Sequence, residues 1–341
     1  MSNPAQLRET ARRLVAPGVG ILAIDESTGT CNKRFEKLGI PQTEQKRREY
    51  RELLLTAPGL RRYVSGAILY DETLRQSTQD GVPFVEVMRE NEILPGIKVD
   101  TGTAPIPASP AEKVTHGLGD LRERAAQYVE LGARFAKWRA VITISANLPS
   151  PACIRINAHK LARYAAICQA EGLVPIVEPE VLMEGAHTVE RCYDVTVRTL
   201  EALFAELASH EVALEGMILK CNMVVAGDQC EEQATVGEVA DLTLAALLST
   251  VPGEVAGVAF LSGGQSDRLA TEHLRAINAR SAGAPWPLTF SFGRALQQQA
   301  IEIWRGDPQR VALAQAALLE RARCNSDATK VLPSPLERLL A

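Results

Sequence analysis

The sequence predicts an α/β fold, a (β/α)8 TIM barrel with an extra N-terminal helix and a C-terminal tail. Three observations carry this. Eight short runs rich in Val, Ile and Leu recur along the 341 residues: "GVGILAIDES", "SGAILYDE", "PGIKVD", "ARFAKWRAVI", "LVPIVEPE", "EGMILKCN", "AGVAFLSGG" and "WPLTFSFGR". None shows the clean polar alternation of a half-exposed strand, as expected of parallel strands covered on both faces. Longer amphipathic segments separate the runs, and no glycine-rich dinucleotide fingerprint follows the first strand, so a closed barrel is favoured over a doubly wound sheet.

The elements follow in order. "PAQLRETARRLVA" reads as a helix ahead of the barrel, which spans about residues 19–325 in a single domain. "TEQKRREYRELLLT" (43–56) opens on a threonine two residues after a proline and stops at "APG". Further helices are predicted over 121–132, 157–172, 187–210 and 233–251, several of them running into a glycine. "SFGRALQQQA" begins another helix, and residues 326–341 are expected to form an irregular tail.

Composition narrows the function. The chain is 46% hydrophobic and 23% charged with a net charge of -4, and its charges are interspersed, so nucleic acid is not an expected partner. No run of about 18 apolar residues suggests a membrane span, and the N-terminus lacks the apolar core of a signal peptide. The seven cysteines are scattered and never spaced C-x-x-C, which points to a reducing compartment, and a cytoplasmic protein is expected. No histidine has a second within four residues, so no metal site is expected.

In this fold the active site sits at the C-terminal ends of the strands. Those ends carry Asp25–Glu26, Asp71–Glu72, Lys98–Asp100, Lys137–Arg139, Glu178–Glu180, Lys220–Asn222, Ser262–Gly263–Gly264 and Ser291–Arg294. A charge late in an apolar run costs several kcal/mol unless it is paired or functional. Asp71–Glu72 is read as the cap of the next helix. Glu180 is open to a structural pairing and Arg139 to a salt bridge on the outer wall. The remaining charges converge on one rim with mixed sign, where they can shift one another's pKa values.

Lys220, in "EGMILKCN", is the most telling. A lysine amine attacks carbonyls only when neutral, and burial beside a second cation such as Lys137 favours that form. Glu178 lies on the strand between them, placed to carry protons. "SGG" after the seventh strand and Ser291, Gly293 and Arg294 at the eighth offer backbone N–H groups, a helix N-terminus and a guanidinium to a phosphate. Together these suit attack on the ketone of a phosphorylated sugar, with the resulting iminium as the electron sink for carbon–carbon cleavage.

"APGVGILAIDESTGT" (16–30), "GIKVD" (96–100), "FAKWR" (135–139), "CQAEGLVPIVEPE" (168–180), "LSGGQS" (261–266) and "LTFSFGRALQ" (288–297) closely resemble the class I fructose-bisphosphate aldolases. The resemblance runs from about residue 4 to about residue 325. It implies a metal-independent enzyme with no cofactor, a sugar-phosphate substrate and a homotetramer. It further implies that Lys220 forms the Schiff base, Glu178 is the main acid/base, and Asp25 holds substrate hydroxyls. Lys137 would steer proton transfers while Glu180 and Arg139 orient the charged set. Ser262, Gly263 and Arg294 would grip the C1 phosphate, with Gly264, Ser291 and Gly293 beside them as further phosphate-binding candidates. Lys98 lies on the same rim, and Ser27, Thr30, Lys33 and Arg34 would reach the C6 phosphate.

Two departures stand out. The family usually reads Lys-Pro-Asn where this chain has Lys220–Cys221–Asn222, which frees φ and adds an N–H donor. Many members end in a tyrosine that assists proton exchange, whereas the last tyrosine here is Tyr193. Two alternatives share the motifs: an aldolase for a related ketose such as sedoheptulose 1,7-bisphosphate, and a non-catalytic barrel serving as a scaffold.

Overall fold

A computed structural model describes residues 3–107 and 109–330. The chain opens with α1 (Pro4–Leu14), β1 (Gly20–Ala23), α2 (Thr28–Lys37), α3 (Glu44–Leu55), β2 (Val64–Leu69), α4 (Asp71–Leu74) and α5 (Phe84–Glu90). It continues through β3 (Leu94–Lys98), β4 (Thr103–Ile106), β5 (Ser109–Thr115), α6 (Leu121–Glu130), β6 (Phe135–Ile142), α7 (Pro151–Ala170) and β7 (Val174–Val181). Then come α8 (Val189–Ser209), β8 (Ile218–Cys221), α9 (Val236–Thr250), β9 (Val258–Phe260), α10 (Asp267–Arg280), β10 (Leu288–Phe292), α11 (Arg294–Trp304) and α12 (Val311–Ala328).

All eight predicted strands are present. They close into one parallel barrel in the order β1-β10-β9-β8-β7-β6-β3-β2, each hydrogen-bonded to two neighbours. Local signals set the helix ends. Thr43 Oγ1 accepts from the Lys46 amide at the start of α3, and Thr235 and Glu238 form a reciprocal capping box on α9. Gly132 and Gly172, with φ of +100° and +84°, stop α6 and α7.

Three expectations change. Helix α7 begins at Pro151 rather than near 157, because Ser150 caps it through a bond from the Cys153 amide and Pro151 suits the first turn. α12 runs to Ala328, so residues 326–328 are helical, held in part by Ser326 Oγ donating to the Gly18 carbonyl. The rest of the expected tail, 331–341, lies outside the described residues. The hairpin β4–β5 was not foreseen.

Side-chain alternation builds the barrel in two levels. On β6, Phe135, Lys137 and Arg139 fall on the inward face while Ala136, Trp138 and Ala140 join the outer core beneath the helices. On β7 the inward series is Val174, Ile176, Glu178 and Glu180; on β8 it is Ile218 and Lys220. The inward positions are therefore apolar at the N-terminal end and charged at the C-terminal end. Helix α1 closes the lower end, with Leu7, Ala11 and Leu14 packed against Ile21, Ile68, Phe135, Ile176 and Ile218.

Candidate active site

The charged upper level opens into a cavity of about 620 Å³. Its wall includes Asp25, Lys98, Lys137, Arg139, Glu178, Glu180 and Lys220, together with Ser262, Gly263, Ser291, Gly293 and Arg294. Period-two geometry carries Lys98, Lys137, Arg139, Glu178, Glu180, Lys220 and Ser291 up past the apolar plug to the rim, and the turns that leave β1, β9 and β10 bring Asp25, Ser262, Gly263, Gly293 and Arg294 there.

Glu178 is the hub. Its Oε1 lies 3.0 Å from Lys220 Nζ and its Oε2 lies 3.2 Å from Lys137 Nζ. Lys137 also reaches Asp25 Oδ2 at 2.6 Å. All of these side chains are nearly buried. Burial opposes the charge on Asp25, but Lys137 and Lys220 outweigh it and hold the carboxyl at about 2. Glu178 is likewise held below its usual range, burial being overcome by Lys137, Lys220 and Arg139. Burial works against the Lys137 ammonium too, yet Asp25, Glu178 and Asp100 raise its pKa above the ordinary lysine value. Lys137 does not face Lys220 alone, because the Glu178 carboxylate bridges the two.

Arg139 pairs with Glu180 inside the cavity, so the outer-wall reading of that arginine is overturned; the pairing expected of Glu180 is present. The physical reason is the alternation on β6, which sends Trp138 outward to stack on Tyr164 at 5.5 Å. Lys98 Nζ is 2.5 Å from Asp100 Oδ1. The "SGG" turn and the eighth strand meet: Gly264 has φ +102°, and a Cβ there would stand 3.5 Å from Arg294 Nη2 and 3.1 Å from Met183 Sδ. Gly264 therefore backs the guanidinium rather than lining the cavity. Ser291 Oγ is buried and finds no hydrogen-bond partner among the described residues. An anion beside Arg294 would supply one.

At the other end, Ser27 caps α2, with its Oγ 3.3 Å from the Thr30 amide and 3.1 Å from Thr30 Oγ1. Arg34 lies 2.5 Å from Glu26 Oε1 and shares the wall with Ser27 and Thr30. Lys33 is the exception: it is exposed on α2 and absent from the cavity wall, because one residue's step along a helix turns the side chain by about 100°.

Sequence reasoning missed Tyr70, Arg124 and Tyr128, which also line the cavity. Arg124 and Tyr128 belong to α6, four residues apart on one face, and Arg124 donates to the carbonyls of Val99 and Gly117. The cap expected of Asp71–Glu72 is not formed: Tyr70 is the N-cap of α4 and no side chain caps it, while Asp71 in the first turn pairs with Arg75 and borders the cavity. Glu72 is bound instead by Arg47, 2.6 Å away. Cys221 faces the outer core, where burial pushes its thiol up to about 12, and its carbonyl accepts from Leu261 within the β8–β9 pairing. Asn222 keeps the turn in place, accepting from the Val181 amide and donating to Thr196 Oγ1.

Residues 6–332 match the family model "Fructose-bisphosphate aldolase class-I". The chain is 56% identical over 321 residues to a probable fructose-bisphosphate aldolase class 1 of Xanthomonas campestris, spanning 94% of this chain and 96% of that one. It is 50% identical over 324 residues to the cytosolic fructose-bisphosphate aldolase 4 of Arabidopsis thaliana, spanning 95% and 82%. The fold superposes with a TM-score of 0.94 on the fructose-bisphosphate aldolase of Plasmodium falciparum, solved with TRAP and a small-molecule inhibitor, at 46% identity and 98% coverage of both chains. With that fold, that rim of charges and matches of this length, the chain belongs to the class I fructose-bisphosphate aldolase family.

Proposed function

We propose that this chain cleaves fructose 1,6-bisphosphate reversibly to dihydroxyacetone phosphate and glyceraldehyde 3-phosphate through a Schiff base on Lys220. The observation that carries the assignment is the Glu178 carboxylate, held 3.0 Å from Lys220 Nζ and 3.2 Å from Lys137 Nζ.

Proton transfer from Lys220 to Glu178 frees the amine, which attacks C2 of the ketose. The oxygen at C2 takes up protons and leaves as water, with Lys137 and Glu178 as the donors, and the iminium remains. A carboxylate of the pair Asp25 and Glu178 removes the C4 hydroxyl proton. The C3–C4 bond then breaks, its electrons pass to the iminium, and glyceraldehyde 3-phosphate departs. Protonation of the enamine at C3 and addition of water release dihydroxyacetone phosphate and restore Lys220. Glu180 fixes Arg139 so that its guanidinium serves the substrate.

Arg294, Ser262, Ser291 and the backbone of Gly263 and Gly293, supported from behind by Gly264, are assigned to the C1 phosphate. Ser27 and Thr30 at the start of α2, with Arg34 from its last turn and Lys98, are assigned to the C6 phosphate, where the helix N-terminus favours an anion. Every step is served by protein side chains, so the chemistry is assigned without metal or cofactor. The chain is further proposed to work as one barrel domain in a cytoplasmic homotetramer, in keeping with its family. Among the described residues, no helix is long and apolar enough to cross a membrane.

Borohydride trapping with fructose 1,6-bisphosphate, followed by peptide mass mapping, tests the assignment. The expected result is one reduced adduct, on Lys220. An adduct confined to another lysine, or full turnover with no adduct at all, would overturn it.

A further inference from the structure

Three side chains from two helices meet on the outside of the barrel: His159 of α7, and Glu206 and His210 at the C-terminal end of α8. Their potential ligand atoms, one from each, all lie within 4.8 Å of one another. His159 Nδ1 is 3.1 Å from Glu206 Oε2, and the two imidazoles meet edge to face with centroids 5.0 Å apart and planes at 65°. We propose that this trio is a binding site for a divalent transition-metal ion of the Zn2+ class, bridging α7 and α8.

The geometry fits the chemistry. Glu206 and His210 stand four residues apart, one above the other on a single helix face, and the neighbouring helix supplies the third ligand. Bonds of about 2.0–2.1 Å in a tetrahedral site separate the donors by about 3.4 Å. His159, with 53% of its side chain exposed, is free to rotate to that spacing. The Glu206 backbone carbonyl lies 2.9 Å from His210 Nδ1. That same nitrogen lies 3.7 Å from Glu206 Oε2, so it is the ring atom turned toward the carboxylate, and a bound ion would take the place of the carbonyl contact. Two imidazoles and one carboxylate suit Zn2+, Ni2+ or Cu2+ better than the oxygen-seeking Mg2+ or Ca2+. Water completes the coordination, since the site is open to solvent.

The location separates this site from the aldol chemistry. α8 ends toward the N-terminal face of the barrel, away from the cavity. A bound ion would tie together the helices that follow β6 and β7, the strands bearing Lys137 and Glu178. It would stabilise the folded chain by an amount that grows with the logarithm of its free concentration over its dissociation constant. No histidine spacing announced the site, because only the packing of α7 on α8 brings His159 to the other two.

Calorimetric titration of the full chain with Zn2+, after chelator treatment and with the thiols kept reduced, tests the proposal. One saturable site per chain is expected, weakened about 10–100-fold or more in His159→Ala and in His210→Ala, and kept in Cys230→Ser/Cys324→Ser. Without metal, both histidine variants should melt as the wild type does, since neither side chain is part of the core. Absence of a saturable site overturns the proposal. So does wild-type affinity in both histidine variants, or binding that vanishes only with the cysteines.

Discussion

Lys137 Nζ and Asp25 Oδ2 sit 2.6 Å apart, joining β6 to the end of β1 across the mouth of the barrel. The two strands are not neighbours in the barrel order, so the pair spans the site rather than one seam.

Acid stability should report that pair. Asp25 ionises at about 2 in the folded chain against 3.8 ordinarily, so its contribution is present above pH 4 and is lost as pH falls toward 2. At 1.36 kcal/mol per pKa unit, the amount is about 2 kcal/mol. In Lys137→Met the loss should begin at higher pH, because the carboxylate keeps its burial and forfeits its main cation. Urea denaturation between pH 2 and 7 measures both curves. Superimposable profiles would show that the pair is not coupled to folding.

The same variant should be less stable at neutral pH by roughly 3–5 kcal/mol, the usual consequence of orphaning buried charges. Glu178 and Asp25 would both lose a partner. A thermal melt gives the answer, and an unchanged melting temperature would mean that water replaces the ammonium.

Glu178→Gln separates acid/base work from nucleophilic work. Turnover should fall about 10²–10⁴-fold, while borohydride still traps substrate on Lys220, more slowly. Unchanged kcat would move the acid/base role to Asp25.

Arg294→Ala should lower kcat/KM for fructose 1,6-bisphosphate about 10–100-fold, the loss of one charge-assisted contact of about 1.5–3 kcal/mol. Steady-state kinetics with and without the C1 phosphate on the substrate decide it. An equal effect on both substrates would remove the phosphate from the argument.

Gly96→Ala tests the barrel interior. A Cβ there would fall 2.2 Å from the Phe135 ring, and overpacking of this kind costs about 1–3 kcal/mol. Denaturation should show it, and wild-type stability would mean that Phe135 swings aside.

The eight strands were legible because each is a short apolar run with both faces covered, which leaves a plain mark in the sequence. Most of the rim charges were legible for the same reason, standing out against apolar neighbours. The hairpin β4–β5 was not: "TAPI" and "SPAEKVT" are largely exposed, and their buried residues, Ile106, Glu112 and Thr115, are mostly polar, Glu112 binding the Ser150 amide and hydroxyl at 2.7 Å. Arg124 and Tyr128 escaped because they sit on an amphipathic helix, where polar residues are unremarked. Lys33 was misplaced because a helix rotates its neighbours apart, which no motif records. The pairing of Arg139 with Glu178 in the register of β6 and β7 likewise depends on backbone alignment, and sequence pattern alone is silent on that.

The inward column of β6, from Phe135 through Lys137 to Arg139, implies an asymmetry in which mutations the chain can absorb. A substitution on the outer face exchanges one apolar group for another. Deletion or insertion of one residue within the strand instead reverses every face beyond it, exchanging the Lys137 ammonium for the Trp138 indole. Strand length is therefore a harder constraint on descent than strand composition, and accepted gaps should fall in the loops and outer helices.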